Sequence, residues 1–175
     1  MILAIDPGLS GAFCLLSASD NTIEVLSDLP TIEKKDSKGE KTGRRDIDGH
    51  DLALTLSRYA GRIRFCVIED VSAMTYIDKH GEKRGQGAAA SFAFGKSFGV
   101  VIGVVSGYMI PIFYLKPAIW KLQMNLSSDK ELSRKRATQL FPKDEWRWPL
   151  KKHDGRCEAL LLAVFGNRKL GGLKL

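Results

Sequence analysis

Residues 1–11, M-I-L-A-I-D-P-G-L-S-G, open the chain with an apolar run that ends on a carboxylate and turns at once through Pro7-Gly8. Ile2 to Ile5 carry no polar side chain, the pattern of a strand buried on both faces in the middle of a sheet. Pro-Gly marks a tight turn, and a second apolar run, Ala12 to Leu16, follows as in a hairpin. Asp6 therefore stands at a strand end in apolar surroundings. It is either a turn-forming residue that bonds its own backbone or a carboxylate that needs a cation, since burying it unpaired is costly. A divalent metal meets that need.

Working outward, 22–26 predicts a third antiparallel strand, and 33–46 is a polar insertion with six basic and four acidic residues, a solvated loop or hairpin. A first helix is predicted over 48–59 and a second buried strand over 63–69, again ending on an acid, Glu69. Residues 86–108, rich in Ala, Gly and Phe, predict a long helix packed closely on a sheet, and 110–115 another strand. Ser128 with Glu131 fits a capping box opening a basic helix to about residue 140. A last helix starts near Asp154. Antiparallel strands first, then strands alternating with helices, predict an α/β or α+β fold in three layers.

The chain has 175 residues, a length that suits one domain with a proper core. With 27 Lys+Arg against 20 Asp+Glu, the net charge of +7 favours a polyanionic partner, nucleic acid or an acidic membrane face. The apolar stretch 98–114 is interrupted by glycines and Pro111 and reads as a buried helix followed by a strand, with no membrane span. The N-terminus lacks the basic segment of a signal peptide. Cys14, Cys66 and Cys157 lie in apolar segments with no C-x-x-C pair, as reduced core thiols in a cytosolic setting do.

The acids form a constellation. Asp6 and Glu69 each end an apolar strand, while Asp70, one residue on, faces the opposite side. In K-K-H-D-G-R-C-E-A-L-L-L-A (151–163), Asp154 and Glu158 share one helical face at i, i+4. Acids in a first helical turn also complement the helix dipole with no further role. Converging on one sheet edge, these carboxylates would repel one another and need divalent cations. Pairs of Mg²⁺ about 3.5–4 Å apart serve phosphodiester hydrolysis in this way. His153 adjoins the constellation with a lesser role.

At this point the chain resembles the RuvC-type Holliday-junction resolvases of the RNase H-like nuclease superfamily. I-L-A-I-D-P-G-L-S-G looks like the first catalytic strand, V-I-E-D-V like the second, and H-D-G-R-C-E-A-L-L-L-A like the final helix. The resemblance implies a single RNase H-like nuclease domain over 1–175, a three-layer α/β/α fold with a five-stranded mixed sheet, and a homodimer. It also implies Mg²⁺, with Mn²⁺ able to substitute, and paired nicks in four-way or branched DNA. Asp6, Glu69, Asp154 and Glu158 become the catalytic metal ligands. A small basic version with a Lys-rich insertion fits a phage member, acting in the cytoplasm of a bacterium or an infected host cell.

The chain departs from the family in three places. Glu158 stands where the family has Asp, and Gly155 occupies the position, three residues earlier, of the other helix acid. Ser72 replaces the aromatic wedge that follows the second acid, leaving Met74 or Tyr76 for that role. Residues 116–136 hold six cations, of which Lys116, Lys121, Lys130, Arg134 and Lys135 are the candidate phosphate contacts. Lys83 and Arg84 could flank the junction centre, while Trp146 and Trp148 read as core cover before the last helix or as base-stacking residues. Three other functions remain: a hybrid or flap nuclease of the same fold, a nucleotide-binding protein with this phosphate-loop pattern, and a non-catalytic DNA-binding module.

Overall fold

The computed structural model describes residues 1–70, 75–77, 83–85, 87–127 and 129–172. Five strands form a mixed sheet: β1 (Ile2–Asp6), β2 (Ala12–Leu16), β3 (Ile23–Asp28), β6 (Phe65–Glu69) and β9 (Ile112–Leu115), in the order β3-β2-β1-β6-β9. The first three are antiparallel, and β6 and β9 run parallel to β1. Between β3 and the first helix lies a separate hairpin, β4 (Thr31–Lys35) with β5 (Lys41–Ile47). A second small antiparallel pair, β7 (Thr75–Ile77) with β8 (Lys83–Gly85), follows β6.

The helices are α1 (Gly49–Ser57), α2 (Ala88–Gly107), α3 (Pro117–Gln123), α4 (Lys130–Leu140) and α5 (Asp154–Leu170). Strand alternation assigns the two faces of the sheet. Ile2, Ala4, Cys14, Phe65 and Val67 join α5 in one core. Leu3, Ile5, Phe13, Leu15, Cys66 and Ile68 join α1 and α2 in the other. Both faces are covered, so the central strands are apolar throughout, and the architecture is the expected α/β/α fold with a five-stranded mixed sheet. All three cysteines are buried and unpaired.

Three local expectations change, and a fourth falls on an undescribed residue. The third strand runs on to Asp28, beyond the predicted 22–26. Ser128 lies outside the described residues, and the acceptor at the start of α4 is Asp129, whose Oδ1 takes the Glu131 N–H at 2.9 Å. Helix α3 was not anticipated, although Pro117 at its first position is a helix-start signal. The close packing expected of α2 is confined to one side. Only Ser97, Val101 and Val105 are buried, and by length and composition the helix is also apolar enough to cross a membrane.

Candidate metal centre

The turn after β1 is built so that Asp6 can be approached. A Cβ on Gly11 would fall 2.0 Å from the Asp6 carbonyl oxygen, and Gly8 adopts φ +144°, so both positions need glycine. The parallel register pairs Ile5 with Ile68 and thereby sets Asp6 and Glu69 side by side at the same end of β1 and β6. Helix α5 closes the site from across the sheet. Gly155 permits this, because a Cβ there would lie 2.8 Å from Ser10 O and 3.3 Å from Asp6 Oδ2. The position three residues before Glu158 has no room for an acid.

Asp6, Glu69 and Glu158 each bring a carboxylate oxygen within 4.8 Å of the other two. Asp154, one turn earlier on α5, lines a cleft of about 440 Å³ with Glu131, Arg134 and Lys151. Three carboxylate oxygens make a hard donor set, suited to a divalent cation. Glu69 is buried, and desolvation pushes its carboxyl above the usual range; Glu158 raises it further, while Lys121 and the Trp120 N–H oppose the shift. A cation in the cluster would relieve this cost.

Helix α3 supplies the immediate partners. Trp120, fully buried, donates Nε1–H to Glu69 Oε1 at 3.0 Å. Its neighbour Lys121 donates Nζ to Glu158 Oε1 and Oε2 at 3.0 and 3.1 Å, and lies 3.7 Å from Glu69 Oε1. The Ser133 hydroxyl of α4 donates to Glu158 Oε1 at 3.2 Å. An ammonium thus already occupies the cation-attracting end of the sheet. Trp120 and Ser133 were missed in the sequence; a tryptophan inside a short Pro-initiated helix, whose buried N–H needs an acceptor, was the available signal. Arg156 was missed as well. It forks onto Asp28 at 2.7 and 2.8 Å and reaches Arg147 O, tying the first turn of α5 to the end of β3.

The other candidate residues scatter. Lys116 and Lys135 are exposed; Arg134 is half-buried, bonded to Glu131 and to Trp148 O. The side chains of Lys130, Lys83, Arg84 and Tyr76 lie outside what the structure describes, as does Met74 altogether. His153 is buried, and its Nδ1 accepts the Leu150 N–H, a turn-closing role beside the site. Trp148 is core cover as expected, its Nε1–H bonded to Thr138 Oγ1 at 3.1 Å. Trp146 departs from that expectation: it is 69% exposed, with the Arg147 guanidinium 4.7 Å above its ring.

A three-layer sandwich with acids at the ends of two adjacent parallel strands and on the helix that crosses them is an RNase H-like fold. Within that class the fold is RuvC-like. A structure of Thermus thermophilus RuvC in complex with Holliday junction substrate matches over 95% of this chain and 94% of its own, with TM-score 0.59 and 16% identity. A second T. thermophilus RuvC structure matches over 95% of each chain, with TM-score 0.58 and 15% identity. No family model matches the sequence, and no curated protein does.

Proposed function

We propose that the protein is a metal-dependent DNA endonuclease that cuts branched DNA, four-way junctions above all, by paired nicks. The observation that carries this reading is the convergence of Asp6, Glu69 and Glu158 at the strand ends of a RuvC-like sheet. These three would hold Mg²⁺, or Mn²⁺ in its place, with Asp154 at the cleft beside them. Metal bound there would neutralise the scissile phosphate and lower the pKa of an attacking water. Water attacks phosphorus, the P–O3′ bond breaks, and the products carry a 5′-phosphate and a 3′-hydroxyl.

The chain's own residues prepare this step. Trp120 fixes Glu69 and excludes water from its inner side, Ser133 orients Glu158, and the backbone of the Asp6–Gly11 turn sets the Asp6 carboxylate. Lys121 holds positive charge beside the position a phosphate would take. Lys116, Lys130, Arg134 and Lys135 are proposed to bind flanking phosphates.

Paired nicks need two sites, and we read the active form as a homodimer. What supports it is α2. Gly95, Gly99, Gly103 and Gly107 recur every four residues on one stripe, and a Cβ on any of them would meet no described atom within 4 Å. Glycines that no contact among the described residues requires suit the close approach of a second helix.

The test is cleavage of an immobile four-way junction beside matched duplex, flap and RNA–DNA hybrid, in Mg²⁺ or EDTA. Symmetric metal-dependent nicks in the junction alone are expected, and Asp6→Asn should abolish them while sparing junction binding. Equal cutting of flaps or hybrids would keep the carboxylate chemistry but remove junction selectivity. Undiminished cleavage by Asp6→Asn would overturn the site.

A further inference from the structure

The β4–β5 hairpin lies outside both cores apart from its base, and the carboxylate site does not use it. Its root nevertheless stands at the catalytic end of the sheet. Ala12 pairs with Asp6 on one side and with Asp28 on the other, and the Leu29 N–H donates to Gly11 O at 2.9 Å. Thr31 then faces Ile47 at the base of the hairpin, where the Asp48 N–H closes onto Pro30 O at 2.8 Å. Two strand spacings, about 10 Å, separate this root from β1, and strands of this length extend it by about 17 Å.

Its charges are unevenly committed. Asp46 accepts from Lys34 at 3.2 Å and from Lys96 of α2 at 2.6 Å, a brace that fixes the hairpin against that helix. Glu33 pairs with Lys41 at 3.0 Å. Asp36 holds the turn, its Oδ1 accepting the Lys38 and Glu40 N–H groups at 2.8 and 2.9 Å. Three of the four acids therefore have partners. Lys35, Lys38, Arg44 and Arg45 are exposed and form no ion pair among the described residues. Arg45 stands opposite Glu33 in the register, but Lys35 faces Lys41 across the ribbon, a like-charge pair that opposes folding, so the hairpin's own stability does not account for Lys35, Lys38 and Arg44.

We propose that the β4–β5 hairpin is a second DNA contact, gripping the phosphates of a duplex arm beside the cut through Lys35, Lys38, Arg44 and Arg45. The inference rests on the nuclease reading above. The brace at Asp46 sets the angle of the hairpin, and its reach matches about five base pairs at 3.4 Å each. Phosphate contacts of this kind position the protein on an arm without reading sequence.

The experiment compares the full-length wild type with a variant carrying Lys35→Gln, Lys38→Gln, Arg44→Gln and Arg45→Gln. Binding to a fluorescent four-way junction is measured across a salt series, with hydroxyl-radical footprints of the arms. Each lost phosphate contact removes about 0.9 from the slope of log K against log salt. The variant should lose about 2–4 from that slope, bind about tenfold more weakly at moderate salt, and protect about five fewer nucleotides on one arm. Single-turnover nicking at saturating protein should stay at the wild-type rate. Asp46→Asn adds net positive charge, yet should also shorten the footprint. An unchanged slope and footprint, with wild type binding and cutting normally, overturns the hairpin's role; tighter binding by Asp46→Asn with an unchanged footprint overturns the brace. A wild type that neither binds nor cuts DNA overturns the nuclease reading itself, and the inference falls with it.

Discussion

Helices α2 and α5 read alike as sequences, both long and rich in glycine, alanine and aliphatic residues, yet the fold uses them in opposite ways. Ten of the 17 residues of α5 are buried, and it packs across β1 and β2. Its glycines are demanded from within: Gly155 by the Asp6–Gly11 turn, and Gly166 by Val67, whose methyl carbon lies 2.9 Å from where a Cβ would stand. Of the 20 residues of α2 three are buried, and its glycine stripe meets nothing among the described residues. Glycine on α5 is a contact already made. On α2 it is surface that the described residues leave unfilled.

The most severe way to break this contrast is Gly155→Ala. Its β-carbon must push α5 away from Ser10 and so pull Glu158 off Asp6. Metal-dependent cleavage should fall by two orders of magnitude or more, with a stability loss of about 1–3 kcal/mol from overpacking. Gly166→Ala should cost about as much stability for the same reason, but leave the metal titration unchanged. Melts and Mn²⁺ titrations of the two variants separate the site's glycine from the core's.

On α2 the sign should reverse. Replacing Gly99 or Gly103 with Ala in an exposed helix stabilises a monomer by about 0.5–1 kcal/mol each, while the added methyl groups should weaken self-association. Sedimentation at several concentrations checks this; a higher Tm with unchanged association would remove α2 from the interface.

The site itself offers two finer tests. Lys121→Met removes the ammonium that competes for the Glu158 oxygens. Mn²⁺ affinity should rise about tenfold, or about 1.4 kcal/mol, by calorimetry in the absence of DNA. The smallest effect concerns pH. The folded chain holds the Glu69 proton more tightly than the unfolded chain does, because burial raises its pKa. Glu69 therefore subtracts stability as pH rises from its unfolded value of about 4.3 through its raised folded value. In EDTA, Glu69→Gln should gain on the wild type between pH 4 and pH 7. No gain across that window would place Glu69 in a milder environment than its burial implies.

Legibility in the sequence followed range. Continuous apolar runs ending on Asp6 and Glu69 announced the two central strands and the acids at their ends, since local pattern alone forces those residues into a buried sheet. The i, i+4 spacing placed Asp154 and Glu158 on one face of α5, and the resemblance gave the topology that joins them. The tertiary structure decided which acids meet. Asp6, Glu69 and Glu158 converge through a strand register and the room left at Gly155, quantities that depend on residues far apart in the chain: Ile5 with Ile68, and Ser10 with Gly155. It also decided that Lys121, a candidate phosphate contact, bonds Glu158, and that Trp120 and Ser133 hold the carboxylates. The glycines of α2 and α5 were visible from the start. Whether a glycine is filled or left open is fixed only by what the rest of the chain packs against it, because sequence states the missing side chain and packing alone states the neighbour.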